Sequence, residues 1–102
     1  MNDAEALKAV QHAVASGDVR FDASHFADGV HHSTDLNVDE VCEILTSPFA
    51  TVTKSTTDRD GRVKLEIAGP HVGSDWIVVV IMTSGAFVIT VYEVRDEQDE
   101  EV

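Results

Sequence analysis

One short stretch, Ser24-His25-Phe26-Ala27-Asp28-Gly29-Val30-His31-His32, holds three of the chain's five histidines and an aspartate. Imidazole and carboxylate together suit zinc, nickel or copper. Imidazole is also the side chain best matched to acid–base work near neutral pH. A helix starting at Ser24 would set His25, Asp28 and His32 at i, i+3 and i+7, on one face. Ligand pairs on a helix converge at i+3 or i+4, whereas i to i+7 rises by roughly 10 Å. His25 and His32 therefore cannot hold one ion between them. Each needs Asp28, or a group from elsewhere such as His71. Without such a partner the stretch implies no metal and no cofactor. It then reads as a short helix capped by Ser24, with Phe26 and Val30 buried and His31 and His32 near the surface. His25 would hydrogen-bond to a strand end and form a pH-sensitive contact.

Other reactive residues give less. Cys42, alone in the chain, lies among apolar residues beside Asp39, Glu40 and Glu43. Those neighbours have the wrong sign to favour a thiolate, so it reads as a small buried hydrophobe. Lys54, Arg59, Arg62 and Lys64 form the one basic cluster, which reads as a solvated strand face or a small anion site. Trp76 and Tyr92 sit near the ends of two apolar segments. With His25 they mark the edge where a pocket is expected.

The charge balance restricts partners. Nineteen acidic residues oppose seven lysines and arginines, for a formal charge of −12. A surface of this kind repels itself in dilute buffer. In molar salt the Debye length falls to about 3 Å and the repulsion is screened. The acids are spread along the chain, lysine is scarce, and Ala, Val and Thr are abundant. The composition is that of a halophilic archaeon keeping salt in its cytoplasm, and it disfavours nucleic-acid binding. No apolar run approaches the ~20 residues that span a bilayer. The N-terminus lacks a basic segment followed by an apolar one. The expectation is a cytoplasmic protein, acting through self-association or a protein partner, with no membrane contact.

The elements that must position these residues follow from periodicity. Asp3 caps a first helix with Leu7, Val10 and Val14 as its stripe, ended by Gly17-Asp18. Val19–Phe21 is a short extended piece. Asn37 and Glu40 form a capping box for a second helix, which buries Val38, Val41, Ile44 and Leu45 and stops at Pro48. From there the period becomes two. Phe49–Ser55 alternates, with Phe49, Thr51 and Thr53 on one face and Ala50, Val52 and Lys54 on the other. Asp60-Gly61 turns the chain. Val63, Leu65 and Ile67 point inward from the next strand, and Lys54 and Lys64 could be neighbours across the pair. A loop over 69–75 leads to two strongly apolar strands, joined by a tight turn at Ser84-Gly85.

The fold class is α+β: N-terminal helices packed on a four-stranded antiparallel meander. Residues 1–95 form one domain and 96–102 an acidic solvated tail. Ile77–Met82 is apolar at every position, as in a strand buried on both faces. One face takes the second helix. The other needs the first helix or a second subunit.

In this order of elements the chain resembles a family of small prokaryotic domains of unknown function, grouped by fold with the RelE and BrnT ribonuclease toxins. The resemblance runs over about Val19–Glu93. It rests on Phe21, Ser24, His25 and Phe26, on the Leu36-Asn37-Val38-Asp39-Glu40-Val41 helix start, on Pro48, and on the closing strand with Thr90 and Tyr92. It implies His25, Tyr92 and Lys64 as catalytic residues of a nuclease, assisted by Lys54 and Arg62. The family carries arginines on the histidine helix, where this chain has Asp28, Val30, His31 and His32. Phosphate contact also weakens steeply in salt. The composition thus argues for a non-enzymatic relative, with a nuclease and a ligand-binding domain around His25, Asp28 and His71 as the alternatives.

Overall fold

A computed structural model describes residues 2–94. The acidic tail read at 96–102 lies outside the described residues. Two helices and five strands follow one another as α1 (Asp3–Ala15), β1 (Val19–Phe21), α2 (Val38–Thr46), β2 (Thr51–Thr57), β3 (Val63–His71), β4 (Ser74–Met82) and β5 (Ala86–Glu93). The class is α+β as expected, but the sheet has five strands rather than four, in the order β1-β5-β4-β3-β2. The added strand is the extended piece at Val19–Phe21, which pairs parallel to β5 and makes the sheet mixed.

Both helices begin with the same device. Asn2 accepts from the Glu5 amide while the Glu5 carboxylate accepts from the Asn2 amide, and Asn37 and Glu40 repeat the exchange. Each box satisfies two backbone donors that a helix start otherwise leaves unpaired. The first cap is therefore Asn2 and not Asp3. The α1 stripe is centred on Ala6, Val10 and Ala13, with Leu7 and Val14 half-buried at its margins. In α2 the expected Val41, Ile44 and Leu45 are fully buried. Ser47, extended before Pro48, ends it.

The core lies between these helices and one face of the sheet. Leu65, Ile67, Val78, Val80, Val88 and Val91 meet Val10, Val41, Ile44 and Leu45 there. Helix and sheet approach closely at Gly69, where an added Cβ would lie 2.8 Å from the Ile44 carbonyl oxygen. The Gln11 amide ties the two helices together by donating to the Leu45 carbonyl at 3.0 Å. Ile77 and Val79 are buried too, yet belong to the opposite face and not to this core. Since α1 and α2 both pack on the core side, the first helix does not cover the second face of β4.

Two irregularities rearrange the expected faces. A register shift between Val52 and Lys54 leaves Thr53 outside the ladder, so Lys54 faces the same side as Thr51 and pairs with Glu66. Lys64 pairs with Thr56, and the two lysines are diagonal rather than direct neighbours. A second shift in the β4–β5 pair sets Val79 opposite Thr90 and Val80 opposite Val88, leaving Ile89 out. The loop expected over 69–75 is absent. β3 and β4 run on to a two-residue turn at Val72-Gly73, with His71 opposite Ser74.

Candidate functional site

The histidine stretch is not a helix. After β1 the Asp22 amide donates to the Val88 carbonyl, and the chain continues along the β5 edge as a folded loop. One 3₁₀ turn, Ala27–Gly29, interrupts it, and Asp28 inside that turn has φ 57°. Asp28 and Gly29 both adopt left-handed backbone, which no α-helix accommodates. The expected face of His25, Asp28 and His32 therefore does not form. An isolated antiparallel bridge between Val30 and Asn37 closes the loop.

This loop stacks three imidazoles. Ring centroids lie 6.1 Å apart for His25–His31, 5.7 Å for His25–His32 and 5.0 Å for His31–His32. His31, expected near the surface, is 3% exposed and sits edge-on against the Phe26 ring. Its Nδ1 accepts from the Ser33 and Thr34 amides, both at 3.2 Å. Amides only donate, so that nitrogen is unprotonated and the proton resides on Nε2, which donates to Thr90 Oγ1 at 2.8 Å. Burial first, then the His32 and His25 rings, hold His31 below the ordinary histidine range. With both nitrogens engaged, it is a structural imidazole with no lone pair left for a metal.

His25 is more open. Its Nδ1 lies 3.5 Å from the Asp22 carboxylate, itself held low by the Ser24 amide and hydroxyl. His71 is elsewhere, with Nε2 3.0 Å from Glu40 and Nδ1 3.8 Å from Glu43, on the start of α2. The Trp76 indole donates to the His71 carbonyl at 3.0 Å. Neither His25 nor Asp28 is bonded to His71. Among the described residues no group of three or more His, Cys, Asp or Glu is arranged to hold a metal ion. Burial and then Asp39 push the half-buried Cys42 thiol up, away from reactivity.

Two of the three residues suggested for nuclease chemistry, Tyr92 and Lys64, lie far apart. Tyr92 pairs with Ile77 and Lys64 with Ile81, two strands and four residues apart, which separates their Cα atoms by roughly 17 Å. Tyr92 and Trp76 lie on opposite faces, Trp76 against the core and Tyr92 outside it, so the edge pocket expected between them does not form. Arg62 is paired with Asp58 and Asp60 at the tip of the β2–β3 hairpin.

Periodicity marked a second apolar face on β4 but did not reveal how that outer face is assembled. Tyr92 reaches across β4 to donate to Glu66 at 3.2 Å, roofing Ile77 and Val79. It remains 45% exposed, and Phe87 and Ile81 on the same face are half-buried. At one end a shallow cleft of about 540 Å³ opens among Thr51, Ala68, Pro70 and Asp75, beneath Phe49, which is 76% exposed. A second cleft of about 500 Å³ separates the end of α1 from the β4–β5 turn, lined by His12, Ser16 and Asp18.

No family model, curated protein or solved structure matches this chain. No helix among the described residues is long and apolar enough to cross a membrane.

Proposed function

We propose that this chain is a non-enzymatic interaction domain of a salt-rich cytoplasm, acting through protein contact at the outer face of its sheet. The observation that carries this reading is the outer sheet face, where exposed Tyr92 and Phe49 and half-buried Phe87 and Ile81 lie on a side that neither helix covers. Apolar side chains left open on one face, with polar groups among them, mark a protein contact. The acidic exterior fits the same reading. Carboxylates hold water and ions in brine and repel polyanions, so nucleic acid is disfavoured. The separation of Tyr92 from Lys64 argues against a converging acid, base and cation, which a nuclease requires.

A photo-reactive phenylalanine analogue placed at Tyr92, in the full chain expressed in its native host, tests this. Illumination is expected to give a discrete protein adduct, and the same analogue at Lys8 on the outer side of α1 is expected to give none. Absence of any adduct from position 92 would overturn the interaction reading. Incubation with RNA in molar KCl is expected to leave the RNA intact. Cleavage that disappears in His25→Ala would restore the nuclease alternative.

A further inference from the structure

We propose that the outer sheet face joins two copies of this chain about a two-fold axis lying across the strands. This rests on the interaction reading above and names its partner.

The register orders that face in rows. Arg20, Phe87, Ile81, Lys64 and Thr56 align across all five strands. The next row is Thr90, Val79, Glu66 and Lys54, and the next Tyr92, Ile77, Ala68 and Thr51. Pro70 and Asp75 close the far end, where the Val94 amide donates to the Asp75 carbonyl. The basic end, with Arg20 and Lys64, lies about 20 Å from the acidic end at Asp75.

Charge selects the occupant. The chain carries −12, yet the strand rows of this face hold two acids, Glu66 and Asp75, against three bases, Arg20, Lys54 and Lys64. Two copies meeting through their helices would instead bring together the exposed carboxylates Asp3, Glu5, Asp39 and Glu43. On the sheet face they meet on nearly neutral ground.

Charge also selects the symmetry. A two-fold axis parallel to the strands would lay basic row on basic row. An axis across the strands keeps each strand over its own copy and exchanges the ends, so Lys64 lies over the second copy's Pro70, one strand spacing of about 4.8 Å from Asp75 of that copy. The same operation sets the row of Tyr92 and Ile77 over the second copy's row of Thr90 and Val79, with Tyr92, 45% exposed, as the side chain that gains burial at the centre. Each copy then meets itself through one self-complementary patch, as an isologous dimer requires.

Size sets the strength. The 36 strand residues, each covering about 4.8 by 3.3 Å, give a face of roughly 570 Å² per copy. A standard stable interface buries about 800 Å² per partner, so this dimer falls at the small end of specific interfaces. Molar salt screens the repulsion between the two acidic exteriors while leaving apolar burial intact.

Sedimentation velocity of the full chain in about 1 M KCl is the test. The wild type is expected to sediment as a dimer at micromolar concentration. Lys64→Glu and Asp75→Lys, both at exposed positions, are each expected to weaken the dimer at least tenfold. The double variant is expected to recover most of that loss, with circular dichroism confirming that all three stay folded. A wild type monomeric at every concentration would overturn the proposal, as would a double variant no tighter than the weaker single. The interaction reading fails separately. Adducts from position 92 with a different protein, and none of twice the chain's mass, would retain that reading and remove the second copy.

Discussion

His31 and Thr90, 59 positions apart in the chain, are joined by a 2.8 Å hydrogen bond between Nε2 and Oγ1. That bond pins the histidine loop to β5 and fixes the imidazole as neutral, since its Nδ1 is occupied by two amides. Protonation would place a second hydrogen against those amides and a charge in a buried site.

Stability should therefore fall as the solution becomes mildly acidic. An unfolded His31 takes its proton near pH 6.5, whereas the folded one, held low by burial, takes it at lower pH. The unfolded state then binds more protons than the folded state over that interval. The stabilisation is complete above about pH 6.5 and is lost as pH drops through and below it. Asp22, Glu40 and Asp58 are held below the ordinary carboxylate range, so their contributions are lost only further down. Thermal unfolding at pH 7.5 and 5.5 should show a larger drop for wild type than for His31→Gln. That variant should also be less stable at pH 7.5 by about 1–3 kcal/mol, from lost buried hydrogen bonds. Parallel pH curves for the two proteins would rule out His31 as the source.

Gly69 is the position where α2 rests directly on β3. A Cβ there would meet the Ile44 carbonyl oxygen at 2.8 Å and Ile44 Cγ2 at 2.9 Å. The backbone oxygen cannot swing aside as a side chain would, so helix and strand must separate. Gly69→Ala should cost about 1–3 kcal/mol, in the range of core overpacking. Denaturant unfolding would register this as a lower midpoint at unchanged slope. An unchanged midpoint would mean that the contact relaxes freely.

Tyr92 is the chain's one tyrosine, so its ionisation can be followed without overlap from another phenol. Burial, and then the Glu66 carboxylate that accepts its hydroxyl proton, push its pKa above the ordinary tyrosine value. A spectrophotometric alkaline titration should show this upward displacement. Glu66→Gln should move the titration back toward the ordinary value, because the negative charge opposing the phenolate is gone. Coincident titrations would show that Tyr92 does not lie against Glu66 in solution.

Much of the fold was legible where local chemistry and long-range packing agree. The Asn37–Glu40 exchange and the spacing of Val41, Ile44 and Leu45 define α2, because caps and stripes are local features. Alternation at Val63, Leu65 and Ile67 shows which side of β3 is buried. The uniformly apolar run Ile77–Met82 announces a strand whose second face is apolar as well. What the sequence hides is pairing. Three residues, Val19–Phe21, carry no period, and nothing local marks a parallel partner 67 positions away in Ala86. Bulges at Thr53 and Ile89 shift faces by one residue without a glycine to signal them. The histidine stretch misled for a related reason. Asp28 tolerates left-handed backbone, and with Gly29 beside it the helix ends before it begins. Burial of His31 becomes legible only with Thr90 in place, a tertiary relation that neighbouring residues do not encode.

The Val72-Gly73 turn escapes a reading by composition because its first residue is a poor one for the job. Both residues have positive φ, 49° and 78°, as a two-residue hairpin turn of the mirror-image type demands. Glycine adopts this backbone freely, but a β-branched valine does so against steric resistance. The Val72 side chain gains nothing in return, being 82% exposed. Asparagine is the residue favoured at this position of such turns. Val72→Asn should therefore stabilise the protein by about 1 kcal/mol, the order of strain held by an unfavourable backbone conformation. A 1 kcal/mol gain in a domain of this size raises the thermal midpoint by about 4–8 °C. Differential scanning calorimetry of the two proteins at one salt concentration measures it. A midpoint that falls on substitution would mean that Val72 packs against something in solution, and that the hairpin tip is itself a contact.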